Sequence, residues 1–172
     1  MGSVSKFNKV SFEQFKSDWL STIGDTDYHL IKEIYDSIKL PERATSGSAG
    51  YDFHIPHNLT IKKGESVVIP TGIRCLIKDK WVLLLLPRSG QGFKYGIHLA
   101  NTVGVIDSDY YHADNEGHIF IKLVNDSTLS KDIELDQGDA ICQGLFMPFG
   151  LCVDDKCTDR RYGGLGSTDS SN

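Results

Sequence analysis

Apolar positions change their spacing near residue 40. Before it, Phe12, Phe15, Trp19, Leu20 and Ile23 recur at helical intervals, and Leu30, Ile31, Ile34 and Ile38 do so again. Ser11-Phe12-Glu13-Gln14 has the form of a capping box, and Gly24 is a stop for the first helix. The second run follows Asp27 and ends before Pro41. From residue 44 to about 150 the apolar runs shorten and are bounded by Gly, Pro, Asn or Asp. Strands are expected at Ser66 to Pro70, Thr71 to Ile77, Trp81 to Leu86, His118 to Val124 and Ala140 to Met147. Ile119, Ile121 and Leu123 share one parity with Lys122 opposite, the mark of a half-buried strand. Leu83 to Leu86 does not alternate, which predicts burial on both faces. Strands at this spacing, with no helices between them, predict a compact antiparallel, all-β fold. The chain thus divides into an N-terminal helical extension (1–40), a β domain (41–157) and a Gly- and Ser-rich C-terminal arm (158–172). The two helices are expected to pack on the outside of the β domain; binding a partner protein through residues 1–40 is the alternative.

Composition narrows the class. Seventeen glycines in 172 residues imply many turns or close backbone approaches. The formal charge is −5 with no run of like charges, which argues against a nucleic-acid or anionic membrane partner. The longest apolar run, Trp81 to Leu86, is too short to span a bilayer, and the N-terminus lacks the apolar core of a signal peptide. Cys75, Cys142, Cys152 and Cys157 form no Cys-x-x-Cys pair, so reduced thiols in a cytoplasmic protein are expected, and no structural zinc. Cys142 reads as a small core residue.

Five short stretches carry candidate chemistry. Ser48-Ala49-Gly50-Tyr51-Asp52-Phe53 could simply open a strand after a turn. Pro87-Arg88-Ser89-Gly90 ends a buried strand and could offer a guanidinium, a hydroxyl and close N–H groups to phosphate; a surface turn is the plainer reading. Asn101-Thr102-Val103-Gly104-Val105-Ile106-Asp107-Ser108-Asp109-Tyr110 ends an apolar approach in two carboxylates and a ring. At period two Asp107 and Asp109 share a face, suited to activating water or to metal work, although an acidic hairpin would look the same. Gly138-Asp139-Ala140-Ile141-Cys142-Gln143 sets one amide among apolar neighbours, where it must find partners. Arg160-Arg161-Tyr162-Gly163-Gly164-Leu165-Gly166-Ser167-Thr168 could be a phosphate-clamping lid or a solvated tail.

In this order the five stretches resemble the signature motifs of the trimeric dUTPase family, over roughly Leu40 to Thr168. The strongest match is Gly104 to Tyr110, joined by the Gly-Gly-Leu-Gly-Ser-Thr arm. The run from Asp109 through Phe120, with Gly144 to Phe149, is similar to a subset from Gram-positive bacteria and their phages. The resemblance implies a jelly-roll-like domain, three copies of which form a homotrimer with three shared sites, each closed by one chain's arm. It implies hydrolysis of dUTP to dUMP and pyrophosphate, with Asp107 as general base. Tyr110 would pack on deoxyribose and exclude a 2′-hydroxyl, Asn101 would meet uracil, and Arg88, Ser89 and Gln143 would hold phosphate. Gly90, Gly104, Val105 and Ile106 belong to the same binding motifs, as do Leu165, Gly166 and Ser167 of the arm. Asp52 would support the site, through metal-bound water. Mg²⁺ would travel on the triphosphate with no direct protein ligand and, with Arg and backbone donors, would offset the chain's negative charge.

The chain departs from the family pattern at Leu165, where many members place a Phe, and at Asp169, where Gly is usual. After Tyr110 the usual Gly gives way to a longer loop through His112, Asp114 and Asn115. Either Arg160 or Arg161 could be the arm's phosphate ligand, with Arg161 favoured by the related subset. The rival dCTP deaminase reading needs a Glu in the strand after that loop, and His118-Ile119-Phe120-Ile121-Lys122-Leu123 has none. A dUTP sensor that switches contact with a partner protein is the rival from another class.

Overall fold

The computed structural model describes residues 2–126, 131–158, 161 and 163. Strand β1 (Ser5–Lys9) leads into α1 (Phe12–Thr22) and α2 (Tyr28–Ser37). The β domain follows with β2 (Tyr51–His54), β3 (Leu59–Ile61), β4 (Ser66–Pro70), β5 (Ile73–Ile77) and β6 (Trp81–Leu86). Then come α3 (Ser89–Tyr95), β7 (Ile97–Leu99), β8 (Gly104–Ile106), β9 (Phe120–Asn125), β10 (Ile133–Leu135) and β11 (Ala140–Pro148). A 3-10 turn, Ser108–His112, leaves β8.

Among the described residues all strand pairings are antiparallel. The sheet that matters most has the order β2-β11-β6-β8, and a second runs β4-β9-β7; β1 pairs β5, and β3 pairs β10. Their inward side chains form a jelly-roll-like core that includes Phe53, Ile69, Leu83, Ile119, Ile121 and Ile141.

The helices close the same core. Ser11 caps α1, its Oγ accepting from the Gln14 N–H at 3.2 Å, and Asp27 Oδ1 caps α2 through the N–H groups of His29 and Leu30. The capping box is only half formed, because the Gln14 amide donates to Asp18 while the Ser11 N–H donates to Glu116. Phe15, Trp19, Ile31 and Ile34 are buried against the sheets, each burial stabilising by about 1.5–3 kcal/mol. Gly72 permits this approach: at φ +73, a Cβ there would lie 2.3 Å from Ile38 Cδ1 and 3.3 Å from the Phe15 ring.

Several elements differ from the sequence expectation. The first forty residues include β1, which pairs with β5 from Ser5↔Ile77 to Lys9↔Ile73. Its Phe7 packs among the rings of Tyr51, Phe53 and Phe146. In β6 only Leu83 and Leu85 are buried; Leu84 and Leu86 are half-buried, so the strand alternates after all. Leu86 faces a cavity instead of a second layer. A helix, α3, interrupts the strands where a plain turn was expected. Among the described residues no helix is long and apolar enough to cross a membrane.

Candidate active site

The four-stranded sheet sorts the candidate residues. Gln143 on β11 pairs with Asp52 on β2 and with Leu86 on β6, so one row across the sheet carries a carboxylate, an amide and the approach to Arg88. A cavity of about 400 Å³ opens over this row, lined by Ser48, Gly50, Asp52, Arg88, Ser89 and Gln143 among others. Arg88 Nε stands 3.1 Å from Asp52 Oδ1, which holds the guanidinium over the opening. Gln143 Nε2 donates to the Pro87 carbonyl at 3.1 Å. That bond ties β11 to the turn bearing Arg88. Gln91 of α3, which the sequence did not single out, donates to the Ala140 carbonyl at 3.0 Å and fastens the helix to the same strand. Ser89 and Gly90 are exposed at the start of α3, and nothing lies within 4 Å of a Cβ built on Gly90. This end of the sheet offers a carboxylate, a guanidinium, an amide and the hydroxyls of Ser48 and Ser89 to an anionic ligand.

Asn101, Gly104, Val105 and Ile106 line a different cavity of about 370 Å³, walled by Leu85, Leu99 and Phe120. Its surface is chiefly apolar, the character expected of a pocket for a planar base with few polar contacts. β8 is an edge strand, and Val105 on it is 60% exposed.

Asp107 and Asp109 do not share a strand face, because β8 ends at Ile106 and the 3-10 turn begins at Ser108. The turn nevertheless brings both carboxylates to one guanidinium. Arg161 donates from Nη2 to Asp107 Oδ2 at 2.7 Å and from Nε to Asp109 Oδ1 at 3.0 Å. Its Cζ lies 5.8 Å from the Tyr110 ring centre. Tyr110 is buried; its hydroxyl donates to the His118 carbonyl at 2.7 Å and accepts from Asn115 Nδ2 at 2.9 Å. Burial pushes that hydroxyl's pKa up, with the Asn115 bond and Arg161 pulling the other way. Arg160, Leu165, Gly166 and Ser167 lie outside the described residues.

The two polar groups occupy opposite ends of β6. The register Leu85↔Gly104 and Leu83↔Ile106 carries Asp107 to the level of Val82, six residues from Arg88. At strand rise that is roughly 20 Å along the sheet. In one chain the Arg88 group and the Asp107 group therefore stand apart. Among the described residues no three His, Cys, Asp or Glu side chains converge to hold a metal ion. Asp52 is the carboxylate among the residues lining the Arg88 cavity, a donor set suited to a cation that arrives with an anionic ligand and is met through water.

Comparison with known proteins identifies the family. The dUTPase family model matches residues 36–169. The Lactococcus lactis deoxyuridine 5′-triphosphate nucleotidohydrolase is 39% identical over 134 residues, 76% of this chain and 88% of that protein. The crystal structure of a dUTPase from Streptococcus mutans superposes with a TM-score of 0.63 at 35% identity, covering 85% of this chain and 97% of that one. A mutant dUTPase from phage phi11 of S. aureus, described with a structural Mg(II) ion, shares the fold with a TM-score of 0.62 at 17% identity, over 91% of this chain and 98% of its own. A family match across most of the chain, close relatives that hydrolyse a nucleoside triphosphate and the same β architecture lead to one assignment: the chain belongs to the dUTPase family.

Proposed function

We propose that this dUTP hydrolase releases dUMP and pyrophosphate at sites built between copies of the chain, with Asp107 activating the water. The carrying observation is the roughly 20 Å of β6 that separates the Arg88 end from the Asp107 end. That separation favours a homotrimer that sets one chain's Arg88 beside another's Asp107 to complete the reaction centre. The exposed edge strand β8 with Val105, and the exposed Phe93, Leu151 and Val153, support burial against further copies.

Within such a site Asp107 orients a water and accepts its proton as the oxygen attacks the α-phosphorus. The bond to the bridging oxygen breaks and pyrophosphate leaves. General-base assistance of this kind is worth about 10²–10⁴ in rate. Arg88, Ser89 and Gln143 bind the phosphates and stabilise the growing charge on the leaving group. Mg²⁺, carried by the triphosphate and met through water by Asp52, would supply further charge neutralisation. Tyr110 packs on the deoxyribose and Asn101 meets uracil in the pocket formed by Gly104, Val105 and Ile106. Arg161 sits on Asp107 and Asp109 in this chain. It exchanges those carboxylates for phosphate when the arm, with Leu165, Gly166 and Ser167, closes. The role of phosphate ligand goes to Arg161, with Arg160 as the alternative.

Four free cysteines fit a reducing, cytoplasmic setting. A protein partner at residues 1–40 is a second reading, favoured by the exposure of Leu20, Ile23, Tyr28 and Leu30 on the helices.

The test is pyrophosphate release from dUTP, dCTP, dTTP and UTP, each with and without Mg²⁺. Rapid, Mg²⁺-dependent release from dUTP alone is expected. Equal rates on all four nucleotides would reject the base and sugar assignments.

A further inference from the structure

The loop between Tyr110 and β9 is fastened to the N-terminal segment at two points. The first is Glu116, whose Oε2 accepts the Ser11 N–H at 2.8 Å and whose Oε1 accepts the Ser11 hydroxyl at 2.6 Å. A carboxylate there also meets the positive end of α1. Arg74 completes the clamp: Nη1 is 3.6 Å from Glu116 Oε2, Nη2 donates to the Tyr111 carbonyl at 2.5 Å, and the guanidinium stacks on the Tyr111 ring at 3.7 Å.

The second point is His118, which is fully buried. Its Nε2 faces the Gly72 N–H at 2.7 Å and must accept from it. That places the ring proton on Nδ1, which donates to Asp18 Oδ2 of α1 at 2.5 Å. The same oxygen accepts from Gln14 Nε2 at 2.9 Å. The carbonyl of His118 in turn accepts the Tyr110 hydroxyl. Gly117 seals the contact, since a Cβ at this position (φ +69) would lie 2.5 Å from the Tyr110 carbonyl oxygen. Helix α1 is thus linked through Asp18 to the His118 ring, and the main chain of His118 is linked to the hydroxyl of Tyr110, three residues beyond Asp107. Residues 11 to 18, where this linkage begins, lie outside the stretch that the family pattern matches.

We propose that Asp18 is a positioning residue of the enzyme: through His118 it holds Tyr110 at the angle that admits deoxyribose and rejects ribose. The N-terminal helix is then a brace of the active site, and not only a cover for the core. This rests on Tyr110 being the sugar contact, as proposed above.

The experiment measures kcat and KM for dUTP and UTP on the assembled, full-length enzyme, with thermal melting as a check of fold. Asp18→Ala should raise the UTP/dUTP ratio of kcat/KM by about tenfold or more. Asp18→Asn, whose amide oxygen still accepts from His118 Nδ1–H, should stay within about twofold of the parent. Tyr110→Phe removes the hydroxyl anchor and should shift the ratio as Asp18→Ala does. The two changes together should then add little to either alone. An Asp18→Ala enzyme that melts earlier but keeps the ratio, while Tyr110→Phe shifts it, overturns the proposal. If Tyr110→Ala leaves the ratio unchanged, Tyr110 is not the sugar contact. The brace is then judged on kcat/KM for dUTP alone, where independent, additive losses from Asp18→Ala and Tyr110→Phe overturn it. Should Asp18→Ala fail to fold, Asp18→Asn and Asp18→Glu supply the contrast. Glu displaces the carboxylate by one methylene and should shift the ratio, and a Glu enzyme matching the Asn enzyme overturns the proposal.

Discussion

Glu116 adopts a left-handed backbone, φ 57, where an amino acid with a Cβ is strained by about 1 kcal/mol. Its carboxylate compensates. Burial pushes the group's pKa up, but the hydroxyl and N–H of Ser11 and the charge of Arg74 prevail, holding it below its ordinary value of 4.5. A carboxyl whose folded value is lowered stabilises the fold above its unfolded value, and that stabilisation is lost as pH falls through the folded one. Glu116→Gln should therefore reduce stability by about 1 kcal/mol at neutral pH. It should also flatten the decline of Tm between roughly pH 5 and pH 3. Melting curves across that range test it, and a decline as steep as the parent's refutes the assignment. Residues of this kind were not legible in the sequence. Ser11 and Glu116 are 105 positions apart, and Asp18 and His118 are 100 apart. No local spacing records a hydrogen bond that long-range packing creates. Asp107, Arg88 and Gln143 were visible as candidates because each stands in a short motif, and the motifs keep a fixed order along the chain.

The helices were legible because their signals are local: apolar spacing, a hydroxyl or carboxylate at the start and Gly24 after the end. Their burial gives a prediction. Phe15 is fully buried against Trp19, Tyr35 and His118, so Phe15→Ala should cost about 3–5 kcal/mol, read by chemical denaturation. A loss below about 1 kcal/mol would mean that α1 is not part of the core. Other elements escaped for identifiable reasons. β3, β7, β8 and β10 have three residues each, too few for alternation to declare itself. β1 presents one aromatic, Phe7, amid polar residues and owes its form to pairing with β5. α3 contains Gly90 and Gly92, poor helix formers, and is held by Gln91 and by the left-handed Gly96 at its end. The uniform Leu83–Leu86 run concealed an alternation that depends on the cavity beside Leu86.

On the shared-site proposal, one chain carries both halves of a reaction centre at opposite ends of β6. Arg88→Ala and Asp107→Asn should each lower turnover at least about a hundredfold when every copy carries the change. Co-expressed and purified as mixed assemblies, the two variants should recover activity, because some sites then draw an intact Arg88 from one chain and an intact Asp107 from another. Random mixing in a trimer leaves about a quarter of the sites intact. Mixed assemblies no more active than the separate variants would place both residues in sites contained within one chain. A site shared between chains was already implied by the family resemblance of the motifs, but the separation within one chain was not. The motifs name the participants in chain order, whereas the register of β6 against β8 decides which of them can meet.

If sites are shared between copies as proposed, the distance along β6 also governs when the polypeptide becomes an enzyme. On the shared-site reading, a newly made copy owns every reacting group once and no usable set. The first molecules from a freshly expressed gene are silent, and hydrolysis starts at encounter. Its onset rises more steeply than gene dosage, and dilution extinguishes it without unfolding a single chain.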